Sequence, residues 1–216
     1  LKSSSRSQRN EVQRWLARVY STSGQTQKAI EIYLNLARNN RRNSTGSSSL
    51  YRAAWLAFNG SMHSEAIKLF GEFISRYPRS NSVTSAQWYL AWNAYRLGDI
   101  PSAISTIDRM LRKYPGTSLR QQVTYWRGRW LTMLNRPKEA VASLLKAYQI
   151  KPLHYYGLLS KQRLLELDAF PNPLTMLPSI HPVLASNSDA DELSAEEFIP
   201  GADELPELGR VPTLPP

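Results

Sequence analysis

The sequence predicts an all-α fold, a solenoid of paired helices followed by an irregular, proline-rich acidic tail. Three observations carry that prediction. Ala29, Ala66, Ala103 and Ala140 stand 37 residues apart in helical contexts, and twelve positions before them stand Ala17, Ala54, Ala91 and Gly128, all small. Four positions after each alanine comes a large apolar residue: Tyr33, Phe70, Ile107 and Leu144. Pro78, Pro115 and Pro152 keep the same period, and Tyr77 and Tyr114 precede the first two. Small residues in two aligned columns let the two helices of a hairpin approach closely, and the large apolar column fills the space beside that contact.

The elements follow in order. Helices near 10–22 and 26–39 are joined at Ser23-Gly24, residues that end one helix and permit the next. Asn59-Gly60-Ser61 separates 48–59 from 63–76, and Pro78 stops the second of these. Gly98-Asp99 divides 82–97 from 100–113, which ends before Pro115. Asn135-Arg136-Pro137 divides 118–134 from 137–149, and a closing helix spans 153–167 after Pro152. Strand signals are absent. The repeats therefore run near 11–40, 48–78, 85–115 and 122–152 within a helical body of residues 1–167, and residues 168–216 form a tail or linker with one short helix near 189–198, capped by Ser188 or Asp189.

The order of small, small, large and proline positions resembles the tetratricopeptide repeat, lengthened by three residues between units. That resemblance implies a right-handed α-superhelix and a binding scaffold. It implies no chemistry of its own.

A more particular resemblance lies in the last repeat. Tyr125-Trp126-Arg127-Gly128-Arg129, Lys138-Glu139-Ala140, His154-Tyr155-Tyr156-Gly157-Leu158-Leu159-Ser160 and Arg163-Leu164 are similar, in this order, to the closing stretch of the superhelical region of soluble lytic transglycosylases. Phe73-Ile74-Ser75-Arg76-Tyr77-Pro78 and the segment from Trp88 to Asp99 resemble the same family. Membership would imply a periplasmic protein that cleaves peptidoglycan between N-acetylmuramic acid and N-acetylglucosamine, forming the 1,6-anhydro product without a cofactor. The family's catalytic glutamate sits in a Glu-Ser motif followed by Gly-Leu-Met-Gln, and neither string occurs in these 216 residues. The resemblance thus implies a non-catalytic scaffold that binds or positions cell-wall glycan, a covalently linked catalytic domain or a partner protein. The alternative is a tetratricopeptide adaptor between proteins, with no enzymatic relative. An RNA-binding helical repeat is the weakest of the three.

Charge divides the chain sharply. Residues 1–165 carry 26 of the 27 lysines and arginines against seven acids, a net of +19, whereas residues 166–216 carry one base and ten acids, a net of −9. Nine of the fourteen prolines also fall in the second part. Attraction between the two blocks predicts that the acidic segment Asp189 to Glu207 docks on the body, with Phe198 and Ile199 as anchors. The arginines are spread over all helices, which disfavours nucleic acid and suits an anionic cell wall.

Absence of cysteine excludes disulfides, thiolate metal sites and a cysteine nucleophile. The longest apolar run, Ala53 to Phe58, is far short of a bilayer span. Leu1 in place of methionine suggests a processed or excised piece. His63, His154 and His181 share no ligand spacing, so no metal site is expected, and no cofactor motif is present.

On each first helix, positions separated by four and then three residues share a side. They are Arg14, Arg18 and Ser21; Tyr51, Trp55 and Phe58; Trp88, Trp92 and Tyr95; Tyr125, Arg129 and Thr132. In a tetratricopeptide-like array this stripe faces the concave surface. Flat aromatic faces with arginines suit sugar rings and anionic peptides, although an aromatic stripe at helical spacing is more often core.

Overall fold

The structure, a computed structural model, describes residues 5–169. The polypeptide forms two units, residues 1–172 and 173–216. The expected tail helix and the docking segment Asp189 to Glu207 lie outside the described residues.

Within them the chain is all helix and turn: α1 (Arg6–Thr22), α2 (Thr26–Asn39), α3 (Ser44–Asn59), α4 (His63–Arg76), α5 (Val83–Arg96), α6 (Ile100–Lys113), α7 (Arg120–Met133), α8 (Pro137–Ile150) and α9 (Tyr155–Glu166). No helix among them is long and apolar enough to cross a membrane. Two starts come earlier than the periodicity suggested, each because of a cap. Ser5 and Gln8 exchange side-chain-to-backbone bonds in a capping box, which starts α1 at Arg6 rather than near 10. The Asn43 carboxamide accepts from Gly46 N at 3.1 Å, which carries α3 back to Ser44 through a polar serine run that reads as loop.

The hairpin turns repeat as strictly as the alanines. Gly24, Ser61, Gly98 and Asn135, each 37 residues after the last, all take a left-handed backbone, with φ of 77°, 57°, 83° and 54°. Only glycine or a small polar residue tolerates that conformation, which is why the column holds these types. The following amide closes the turn onto the helix just ended: Gln25 to Tyr20 O at 2.8 Å, Met62 to Ala57 O at 2.9 Å, Asp99 to Ala94 O at 2.9 Å and Arg136 to Leu131 O at 3.0 Å.

Ala17, Ala54, Ala91, Ala29, Ala66, Ala103 and Ala140 are all fully buried where the helices of each hairpin touch. At Gly128 a Cβ would lie 2.8 Å from Leu144 Cγ, so the fourth repeat gives up a methyl to seat its leucine. The tyrosines before the prolines tie repeat to repeat. Tyr77 Oη donates to Arg41 O at 3.0 Å and Tyr114 Oη to Pro78 O at 3.3 Å. Amides close the first and fourth hairpins on themselves: Asn10 Nδ2 donates to Asn40 Oδ1 at 3.1 Å, and Gln121 Nε2 to Ala147 O and Lys151 O at 3.0 and 2.8 Å.

The core runs in two apolar clusters that divide within α5, Ala86 belonging to the first and Trp88 to the second. Consecutive helices pack along the body, most sparsely between α6 and α7. There Arg127 spans the joint, its Nε 2.6 Å from Asp108 Oδ1 on α6 and its NH1 2.5 Å from Ser143 Oγ on α8. First helices also meet across repeats, α3 with α5 and α7 with α9, whereas second helices do not pack on one another to that degree. The first helices therefore form the inner layer.

Candidate functional site

The inner layer is where the predicted stripe falls. Burial divides it. Trp88 and Tyr125 are only 8 % and 2 % exposed, so they support a wall and offer little face to a ligand. Tyr51, Trp55, Phe58, Trp92, Tyr95 and Arg129 are half-buried, whereas Arg14 and Arg18 are exposed.

The twelve positions do not make one continuous ladder. Tyr51 packs edge-on against Phe70 and Phe73 of α4, with ring centroids 5.9 and 5.4 Å apart, and burial raises its phenol pKa. Phe58 lies 4.9 Å from Tyr89, which itself stacks on Phe70 at 5.5 Å. Arg18 sits over the Trp15 ring at 5.0 Å, and its charge, with that of Arg14, opposes the rise that burial causes in the pKa of the Tyr33 phenol on α2.

What the fold does bring together is a cluster between α5 and α7. Trp92 meets Trp126 edge-on at 4.5 Å, Trp88 at 5.3 Å and Tyr95 at 5.2 Å. Trp88 stacks on Trp130 at 6.1 Å, and Tyr95 lies 5.5 Å from Trp130. Trp130 is fully buried and forms the floor. Arg129 lies over the Trp126 ring at 5.6 Å and donates from NH1 to Tyr125 Oη at 3.2 Å, which fixes a cation beside the aromatic wall. Tyr125 in turn contacts Tyr156 of α9 at 5.5 Å, and burial pushes the Tyr156 phenol up to about 12.

Trp126 and Trp130 are absent from the predicted stripe. Their signal was the same period of 37 applied to another face, since Trp126 aligns with Tyr89 and Trp130 with Asn93 and Leu56. Those positions turn toward the preceding repeat, and only large rings there reach α5.

The three central first helices are free of acids. α3, α5 and α7 contain no Asp or Glu but carry Arg52, Arg96, Arg120, Arg127 and Arg129, whereas Glu31, Glu65, Glu72, Asp108 and Glu139 lie on the second helices. A carboxylate-free aromatic surface attracts anionic groups and does not repel them from below. It holds no nucleophile paired with a base and no acid in a shielded site. His63 Nδ1 lies 2.9 Å from Asn93 Oδ1 in a contact between repeats, and His154 is the N-cap residue of α9, without a side-chain cap bond. Among the described residues no group of three or more His, Asp or Glu could hold a metal ion.

Known proteins agree on the architecture. The profile of the YfiO family, described as outer membrane lipoprotein, matches residues 43–151, just over half of the chain. No curated protein matches by sequence. Among solved structures, a tetratricopeptide repeat protein from Parabacteroides merdae superposes with a TM-score of 0.61 at 16% identity, covering 75% of this chain and 63% of that one. A kinesin-light-chain-type protein of Podosopora anserina with nearly identical TPR-like repeats gives 0.57 at 18% identity, covering 73% and 84%. MamA from Desulfovibrio magneticus gives 0.57 at 13% identity, covering 74% and 86%. At such identities the likeness extends to the fold alone.

Proposed function

Because the chain belongs to the YfiO family of outer membrane lipoproteins, we propose that it is a non-catalytic scaffold of the bacterial cell envelope whose inner helix layer binds an acidic segment of a partner protein. The observation that carries this reading is the half-buried wall of Trp92 and Tyr95 beside Arg129, on a layer whose central helices hold no carboxylate. Aromatic faces contribute apolar area at small entropic cost, and the arginine selects for a carboxylate among the groups that reach it. A periplasmic location follows from this role.

A second reading is supported by the ordered segments in α7, α8 and α9 that resemble the lytic transglycosylases. There the body would be the superhelical part that positions glycan for a linked catalytic domain, and the same wall would stack sugar rings. The two readings separate in one titration. The full chain is titrated with a labelled, Glu-rich extended peptide and, separately, with soluble glycan strands from peptidoglycan. The scaffold reading expects the peptide to bind and Trp92→Ala to weaken it by about tenfold, the equivalent of roughly 1.4 kcal/mol. Binding of glycan strands without binding of the peptide overturns it in favour of the second reading.

A further inference from the structure

The first and fourth repeats carry one device in one register. Arg18 and Arg129 stand three periods of 37 residues apart, and so do Trp15 and Trp126, each three residues before its arginine. In both repeats the guanidinium lies over the indole ring, at 5.0 Å in α1 and 5.6 Å in α7. Residues at i and i+3 are neighbours on a helix, and a ring face holds the planar cation without neutralising it. The second and third repeats put Trp55 and Trp92 in the arginine's position, both half-buried. One column of the inner layer therefore runs Arg, Trp, Trp, Arg from α1 to α7.

Among the described residues no carboxylate pairs with either arginine; the ion pairs engage Arg76, Arg127, Arg136 and Arg163 instead. Other bases reinforce Arg18. Burial raises the pKa of the Tyr33 phenol, and Arg52, Arg18 and Arg14 all act against that rise, so three cations from α1 and α3 gather about one hydroxyl. Glu11, the single acid of α1, stands seven residues before Arg18 on the same side and offsets one of those charges.

We propose that Arg18 and Arg129 form a two-point clamp for one extended segment of a partner protein, with a carboxylate at each end and apolar side chains between them on Trp55 and Trp92. The clamp rests on the scaffold reading above and adds to it a second anchor and a spacing. Packed helices stand about 8 to 10 Å apart, so three steps from α1 to α7 span roughly 20 to 30 Å once the side chains reach into the groove. An extended chain covers about 3.3 Å per residue, which sets the two acids about six to nine residues apart. Arg129 alone accepts any carboxylate that reaches it. The pair selects by distance.

The test uses the full 216-residue chain and two fluorescent ten-residue peptides of one composition. In the first, a pair of glutamates stands at each end of six alternating leucines and prolines, which holds the acids about 22 to 28 Å apart. In the second, all four glutamates stand together at one end. Anisotropy titrations should show the two-ended peptide binding about tenfold tighter. Arg18→Gln and Arg129→Gln should each reduce it to the affinity of the one-ended peptide. Arg18 is exposed, and an unchanged circular dichroism melt for its variant shows that the fold survives. Equal affinity for the two peptides, or an advantage that survives Arg18→Gln, overturns the clamp; if Trp92→Ala still weakens both peptides, the scaffold reading stands without it. Binding of neither peptide overturns both.

Discussion

Two glycines that look alike in the sequence should respond in opposite ways to the same substitution. Gly46 lies in the first turn of α3, where a Cβ would stand 2.1 Å from Asn40 O, 2.7 Å from Asn40 C and 3.0 Å from Tyr77 Oη. The obstacle is backbone, so the loop from Asn40 to Asn43 must move. That movement breaks the Asn43 cap on Gly46 N and the bond from Tyr77 Oη to Arg41 O. Loss of a cap, loss of a hydrogen bond and overpacking outweigh alanine's helix propensity, for a net cost of about 2 to 4 kcal/mol. Gly71 lies in the middle of α4 with nothing within 4 Å of its Cβ position, so there alanine should stabilise by about 0.5 to 1 kcal/mol. At roughly 2 to 4 °C per kcal/mol for a body of this size, Gly46→Ala should lower Tm by about 4 to 16 °C and Gly71→Ala raise it by about 1 to 4 °C. Thermal melts followed by helical circular dichroism measure both. A Gly46→Ala protein that melts at or above the parent temperature would refute the packing of α2 against α3 described above.

Replacing Ala66 or Ala103 by leucine should overpack a hairpin contact that is fully buried, at a cost of about 1 to 3 kcal/mol seen as a lower urea midpoint. Asp108→Asn should weaken the pair that spans the joint between α6 and α7, whose side chains remain a quarter to a third exposed. Its effect should be about 0.5 to 1 kcal/mol in low salt and smaller in high salt, as read from paired melts. Alkaline pH should destabilise the body. The Tyr156 phenol titrates near 12 in the fold and near its usual 10.0 once unfolded, so the unfolded chain loses its proton first and stability falls as pH rises from about 10 to 12. Tyr156→Phe should flatten that fall, and a pH series of urea midpoints compares the two.

The fold was legible because a strict period repeats one packing solution four times. Small residues, left-handed turns and stopping prolines each recur at the same offset, and any one column locates the others. Element starts were harder to see, since they depend on caps. Ser5 with Gln8, and Asn43 with Gly46, extend α1 and α3 through polar residues that carry no periodicity. Gly46 and Gly157 are three periods apart and each lets a first helix begin against the carbonyl of the residue six before it. With two intervening repeats holding Val83 and Arg120 there, that column hides in the sequence. The aromatic stripe was only half legible. Helical spacing shows which residues share a side, but whether a ring lines a groove or fills a joint depends on the neighbouring repeat. Trp88 of α5 is buried against Trp126 and Trp130 of α7, and Tyr125 of α7 against Tyr156 of α9. The absence of acids from the three central first helices, α3, α5 and α7, could have been read directly from the sequence once each charge was assigned to a helix, with Glu11 and Glu166 falling on α1 and α9 at the two ends.

The central claim is that the inner layer receives an acidic polypeptide. Hydrogen–deuterium exchange of the full chain, with and without the Glu-rich extended peptide at saturation, tests it most directly, because backbone protection reports where a ligand sits. The account predicts added protection along α5 and α7, on the turns around Trp92, Tyr95 and Arg129, with α4, α6 and α8 unchanged. Protection confined to those second helices, or none on α5 and α7 at saturation, would contradict it.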